Sequence, residues 1–361
     1  MDNSTSLEDL HVSSNKYGAL SMDSYPFIRG SLQLKYDSFL QACSSSSSSS
    51  SSSSLFDVDD ENFLGFASNL KRICSNLSSI LDVPRCAIIL EEVEPEVKII
   101  PLIGYSFEWT ETWASERVFE EVYDGVVTSH EGPKMPDELL DRMQQRFLLF
   151  SSSSSSSSSG RETQKSEEKE KMMIEDEVEK TKEEEEDEED LFTKIVRNKV
   201  RHWRLWESSS HLAVLTPFPN SPGFGVCIPK VKLSSDVFSI EDADFRSLFL
   251  AVKSFVNFLK TALSVRRVAV ICEGTGVDYA HVKVIPIWPP EVRRGDPGSS
   301  DKVFSEDVVL KEMRKNALKK RDSNFAFDTY SGFVSSLGGR WRSDAEKKQC
   351  FQKIKENWTV I

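Results

Sequence analysis

The sequence has no Cys-x-x-Cys pair, no stretch of 18 apolar residues and no surplus of positive charge. Its six cysteines, Cys43, Cys74, Cys86, Cys227, Cys272 and Cys350, are scattered. That spacing excludes a zinc ribbon and a disulfide framework, and four of the six sit in apolar contexts that read as buried thiols. No metal and no cofactor is expected. The absence of a long apolar run excludes a membrane span, and MDNSTSLEDLHV lacks the basic and apolar regions of a secretory signal. A cytoplasmic or nuclear location follows as an expectation. Basic patches are equally scarce. The formal net charge is −13, and residues 161–190 alone carry 16 acidic against 6 basic side chains. The acidity belongs to that one segment, and no nucleic-acid partner is expected.

Core-forming residues are plentiful. Hydrophobic residues make up 39% of the chain and 22 are phenylalanine, enough for two domains of ordinary size. Two serine runs interrupt them, eleven residues at 44–54 and nine at 151–159. Neither can bury surface, so the first reads as a flexible loop. The second, with the acidic block ending in EEEEDEED, reads as a disordered linker over 151–190. Three regions result: 1–150, the linker 151–190, and 191–361. The acidic linker is a candidate docking segment for a protein partner. The cluster Arg314, Lys315, Lys319, Lys320 and Arg321 reads as a solvated helix face, with a nuclear-import patch as the alternative.

The two flanking regions repeat each other. FDVDDENF (56–63) matches FSIEDADF (238–245), and VPRCAII (83–89) matches VRRVAVI (265–271), both at an offset of 182. VKIIPL (97–102) matches VKVIPI (282–287), and YDGVVTS (123–129) matches YSGFVSS (330–336). Each region also carries a long amphipathic stripe at three- and four-residue steps: Phe63, Phe66, Leu70, Ile73, Leu77 and Ile80 in the first, Phe245, Leu248, Phe249, Val252, Val256, Leu259 and Leu263 in the second. Ser239, with Glu241 and Asp242, is placed to start the second helix. The fold class is therefore α+β: two units, each a long helix on an antiparallel sheet, expected to pair within the chain as a pseudo-dimer. Forty residues of coil span roughly 35 Å, which allows that pairing.

The chemistry-bearing stretch is EGTGVDYAHVKVIPI (273–287). Read as a turn feeding a strand, it puts Tyr279, His281 and Lys283 on one face and Ala280, Val282 and Val284 on the other. Imidazole is a competent nucleophile for phosphorus, and a lysine beside it can neutralise phosphate oxygens. In the first region Lys98 stands where Lys283 does, but Glu96 replaces His281 and Glu94 replaces Tyr279. His11, His130, His202 and His211 share no spacing that suggests a site. Trp203 and Trp206 read as core and rim of a hairpin.

In its order of elements the second region resembles the histidine triad (HIT-like) superfamily. SPGFGVCIPK (221–230) resembles the family's Pro-Gly strand motif, a long helix follows, and YAHVKVIP (279–286) resembles the triad strand of a His-x-His-x-Lys branch, trailed by YSGFVSS. The first histidine of that pattern is replaced by Tyr279. The resemblance implies nucleotide binding and, in active members, attack of the middle histidine on an α-phosphate. His281 would be the nucleophile, Lys283 and Tyr279 would meet the phosphate, and Phe218, Pro222 and Gly223 would line the base and ribose pocket. No metal ligand set is implied. Galactose-1-phosphate uridylyltransferases carry two such units in one chain. Tyrosine supplies no cationic imidazolium near neutral pH, so two readings stand. One is a nucleotide phosphohydrolase or nucleotidyltransferase; the other is an inactive HIT-like scaffold acting through the acidic linker.

Overall fold

The computed structural model describes residues 10–44, 54–92, 95–106, 128–155, 189–288, 334–336, 341 and 343–359. Ten strands form one antiparallel sheet: β1 (His11–Asn15), β2 (Gly18–Met22), β3 (Leu32–Lys35), β4 (Cys86–Glu91), β5 (Glu96–Pro101), β6 (Trp203–Glu207), β7 (His211–Leu215), β8 (Gly225–Pro229), β9 (Arg267–Cys272) and β10 (Val282–Ile287). Their spatial order is β1-β2-β3-β5-β4-β9-β10-β8-β7-β6. Read outward from the centre, β4-β5-β3-β2-β1 and β9-β10-β8-β7-β6 have the same connectivity.

The helices are α1 (Asp37–Ser44), α2 (Asp60–Leu81), α3 (Asp137–Ser155), α4 (Leu191–Val196), α5 (Asp242–Leu263) and α6 (Asp344–Asn357), with a short 3-10 turn at Leu55–Asp57. α2 and α5 are both 22 residues long and lie on one face of the sheet. Their apolar stripes bury Phe63, Phe66, Leu70, Ile73 and Leu77 in one, and Phe245, Leu248, Val252, Val256 and Leu259 in the other. Each such side chain contributes about 1.5–3 kcal/mol when fully buried. Both helices end on a residue in the left-handed region, Asp82 (φ 57°) and Ser264 (φ 56°), which satisfies carbonyls of the last turn.

The central strands β4 and β9 pair with Ile89 opposite Ile271, residues 182 positions apart, flanked by Ile88 opposite Cys272 and Leu90 opposite Val270. Contacts above the sheet are reciprocal as well. Lys71 Nζ reaches Ile240 O and Asp242 Oδ1, both at 2.6 Å, while Lys253 Nζ reaches Val58 O at 2.5 Å and Asp60 Oδ1 at 2.6 Å. Lys71 lies over the Phe245 ring and Lys253 over the Phe63 ring. Gly30 and Gly223 both sit at positive φ, 84° and 81°. A Cβ on either would press on the last leucine of the adjoining long helix, Leu81 or Leu263.

The trailing helices cross over. α3 packs on β6 and α5, where Trp203 Nε1 donates to Asp141 at 2.8 Å and Arg201 pairs with Asp137 and Asp141. α6 packs on α2, with Arg29–Glu346 at 2.8 Å and Lys355 Nζ on Val12 O at 2.6 Å. At the edge of the centre, Thr128 bridges to Ser335, the position it matches in the repeat.

Residues 10–22 form the hairpin β1–β2, with Leu10, Val12, Leu20 and Met22 on its buried side. Three local expectations change. α3 runs on to Ser155, five residues into the second serine run. Ser239 does not cap α5: its hydroxyl donates to Asp236 O, and Glu241 occupies the cap position without a side-chain bond. Tyr279 and His281 precede β10, which opens at Val282. The first serine run from 45 to 53, linker residues 156–188, the basic cluster 314–321 and most of the two YxG segments lie outside the described residues. Among the described residues, no helix is long and apolar enough to cross a membrane. Cys74, Cys86, Cys227 and Cys272 are buried free thiols.

Candidate active site

His281 lies on the sheet face opposite α2 and α5. Its neighbours Ala280, Val282 and Val284 belong to the core under those helices, whereas Tyr279 belongs to a second core on the other face with Ala87, Ile89, Leu212, Ile228 and Ile271. The alternation expected for this stretch therefore holds up to its N-terminal edge. His281 is 4% exposed. Its Nδ1 lies 2.8 Å from the Tyr279 carbonyl oxygen. A carbonyl only accepts, so Nδ1 carries the proton and Nε2 keeps the lone pair. Among the described residues Nε2 makes no hydrogen bond. Burial, reinforced by the Lys283 ammonium, pushes the imidazole down to about 4, so the ring is neutral at pH 7.

Lys283 follows two residues later on the same face. Its Nζ pairs with Glu273 at 2.9 Å and lies 3.5 Å from Ser129 O. The Glu273 side chain is 1% exposed and that of Lys283 18%, so a buried carboxylate fixes the direction of a half-buried lysine. Tyr279 is committed differently. Its hydroxyl donates to Pro229 O at 2.7 Å, and burial pushes it up to about 12. The phenol is a packed structural donor, not an exposed phosphate contact.

Phe192 on α4 completes the site. Its ring centroid is 5.3 Å from that of His281 and 5.7 Å from that of Tyr279. Ile195, one turn on, is buried beside it in the same core. α4 is held by its Asp190 cap, which accepts from Thr193 N, and by Lys232 on Asp190 at 3.1 Å. Neither Phe192 nor Ile195 was singled out in the sequence. The only signal within LFTKIV is Phe and Ile spaced three apart.

The residues proposed as a nucleotide pocket are not all gathered here. Pro222 O accepts from Trp288 Nε1 at 2.9 Å, and Gly223 packs against Leu263 and Pro286. Pro286 is five residues along the strand from His281, about 16 Å at strand rise. Phe218 is nearer in connectivity. Its carbonyl receives Gly132 N, and Asn220 Nδ2 donates to Thr128 O and His130 O at 2.9 and 2.7 Å. The segment 128–135 of the first half thus lies across the second half and reaches Lys283 through Ser129.

The other histidines are placed as fabric. His211 is buried, with Nδ1 2.9 Å from Ser210 Oγ, and His202 Nδ1 bonds to Val200 O at 3.0 Å. Trp203 is core and Trp206 packs at its rim. Among the described residues no group of three His, Cys, Asp or Glu side chains converges as a metal site.

Neither a protein-family model nor a curated protein matches the chain. Several solved structures resemble it loosely. A galt-like protein from Arabidopsis thaliana superposes with a TM-score of 0.41 at 12% identity, covering 83% of this chain and 84% of that one. A Hit-like protein from Bartonella henselae involved in cell-cycle regulation gives 0.25 at 16% identity, over 47% of this chain and 96% of the other. A protein from Streptococcus mutans UA159 gives 0.26 at 24% identity, over 27% of this chain and 65% of that one, just under two thirds of its length.

Proposed function

We propose that this chain is a histidine-triad-like nucleotide-binding protein made of two related units paired within one chain, and that its second unit attacks an α-phosphate through His281. The pairing reading is supported by the mirrored strand order, the β4–β9 register centred on Ile89 and Ile271, and the reciprocal Lys71 and Lys253 contacts. The first unit ends with α3 and the second with α6; each trailing helix lies on the other unit, and residues 156–188 join the two.

The observation that carries the catalytic reading is the fixed tautomer of His281. Its Nδ1–H is held by the Tyr279 carbonyl, and the ring is neutral at pH 7. Nε2 then attacks the α-phosphorus with its lone pair. The Nε2–P bond forms while the P–O bond to the leaving group breaks, and that oxygen departs with the bonding pair and is protonated by solvent. The imidazolium so formed keeps its Nδ1 proton on the Tyr279 carbonyl. Water attacks next, the Nε2–P pair returns to nitrogen, and the water proton is lost to solvent. Lys283 offers positive charge on the same face, and Phe192 with Ile195 offers an apolar wall for a base.

The rival is a non-catalytic scaffold, favoured by the Lys283–Glu273 pair, the spent Tyr279 hydroxyl and the Phe192 ring over His281. Hydrolysis of nucleoside phosphoramidates, adenylyl sulfate and dinucleoside polyphosphates by wild type and His281→Ala separates the two. Turnover lost in the variant supports the enzyme. Nucleotide binding without wild-type turnover supports the scaffold.

A further inference from the structure

Arg85 stands immediately before β4, in the first half. Its side chain crosses the β4–β9 seam into the second half. Nη1 donates to Ser235 Oγ at 3.0 Å and to Gly274 O, the residue next to the Glu273 that fixes Lys283. The guanidinium lies over the Tyr105 ring, 4.9 Å from its centroid. Arg85 is 6% exposed, yet it forms no ion pair among the described residues, and its buried Nε has no hydrogen-bond partner. A buried cation bonded only to neutral oxygens is costly, and such groups are ordinarily paired. Asp236, an acid it influences through space, is pushed up by burial, with Arg85 acting against that shift.

The matched end of the seam is built differently. Arg267, the counterpart of Arg85, is exposed. In place of Gly274 the first half has Glu92, whose carboxylate takes Val268 N at 2.8 Å and Lys260 Nζ at 3.0 Å. That end is closed by an internal anion. At the end beside His281, Arg85 makes no hydrogen bond or ion pair with a carboxylate among the described residues, and Asp236 acts on it only through space. Lys283 and Glu273 offset each other, Asp236 offsets Arg85 only in part and without a direct bond, and His281 feels the remaining positive charge, since Arg85 is among the groups that lower its proton affinity.

We infer that Arg85 is an anion-binding residue supplied by the first half to the His281 site of the second, and that the missing counter-ion is a phosphate group of the ligand. This rests on the nucleotide reading only for the identity of the molecule carrying the phosphate.

The test is titration of the full chain with AMP, adenosine and inorganic phosphate, comparing wild type, Arg85→Gln, Arg85→Lys and Ser235→Ala. Arg85→Gln should weaken AMP and phosphate binding about tenfold or more, the scale of one charge-assisted contact, and leave adenosine unchanged. Arg85→Lys should retain most of the affinity. Ser235→Ala, which removes a packing bond and keeps the cation, should bind AMP like wild type. If Arg85→Gln does not fold, the lysine and alanine variants still decide: AMP affinity retained in both supports the inference, whereas a tenfold or greater AMP loss in Ser235→Ala, which keeps the cation, would make Arg85 a mere seam clamp. AMP binding unaffected by Arg85→Gln overturns the inference and leaves the nucleotide reading standing. Phosphate binding that depends on Arg85, without any preference for AMP, supports the inference and overturns the nucleotide reading. Absence of all binding by wild type overturns both.

Discussion

Lys98 on β5 and Lys283 on β10 occupy matched places in the two halves of the sheet, one strand out from Ile89 and Ile271 respectively. Each is tied to a buried acid, Lys98 to Asp23 at 3.2 Å and Lys283 to Glu273 at 2.9 Å. Their neighbours differ. Two residues before Lys283 stands a buried neutral imidazole; two residues before Lys98 stands Glu96, its carboxylate taken by the Gln33 amide. A carboxylate there repels phosphate and offers a poor nucleophile to phosphorus. The same backbone thus supports a candidate reactive group in one half and a self-satisfied polar pair in the other. The lysine is common fabric; the difference between the halves is carried by the residue two positions earlier.

Removing the difference should have the largest effect. His281→Ala is expected to lower nucleotide turnover by about a thousandfold or more, the usual scale for loss of a nucleophile, while Glu96→Ala leaves the rate within about twofold. Equal losses from both would break the comparison.

The seam comes next. Ile89 and Ile271 face each other at the centre, so Ile89→Ala and Ile271→Ala should each cost about 2–4 kcal/mol in denaturant unfolding, and by similar amounts. A large cost on one side only would show that the halves do not share the seam evenly.

Acid should then act through His281. Its proton affinity is lower folded than unfolded, so the unfolded chain binds the extra proton first. The associated stability is fully present above about pH 6.5, falls as pH drops, and is lost by about pH 4, amounting to roughly 3 kcal/mol at most. His281→Gln should flatten that part of the pH–stability curve. An unchanged slope would place the ring in a more polar setting than its burial indicates.

The smallest effect concerns the helix layer. Lys71→Ala and Lys253→Ala remove reciprocal contacts and should lower Tm slightly and equally, with the shift reduced by salt.

Much of this architecture can be read from residue order. α2 and α5 announce themselves through long stripes, and β4 and β9 through unbroken apolar runs, because both faces of the central sheet are covered. The repeat offset of 182, taken from FDVDDENF against FSIEDADF, marks the centre of the antiparallel β4–β9 pair, where Ile89 meets its own repeat counterpart Ile271. The hairpin β1–β2 escaped notice because Ser13, Ser14, Ser21 and Asn15 dilute its alternation, and its buried positions are decided by helices far along the chain. The site was legible in part. His281 and Lys283 lie on one face as their spacing requires, while Phe192 and Ser129 reach them from elements remote in sequence, and Arg85 bonds to Gly274 beside the Glu273 partner of Lys283. Tyr279 shows the limit of spacing arguments: it shares the face of His281, yet its hydroxyl turns to Pro229 O, a choice fixed by the neighbouring strand.

The most direct test of the central claim is to mix the protein with a nucleoside phosphoramidate, denature it under non-acidic conditions, and measure its intact mass and peptide map. The account predicts a transient adduct of one nucleoside monophosphate, located on His281 and absent from His281→Ala. Turnover without an adduct at His281, or an adduct on another residue, would contradict it.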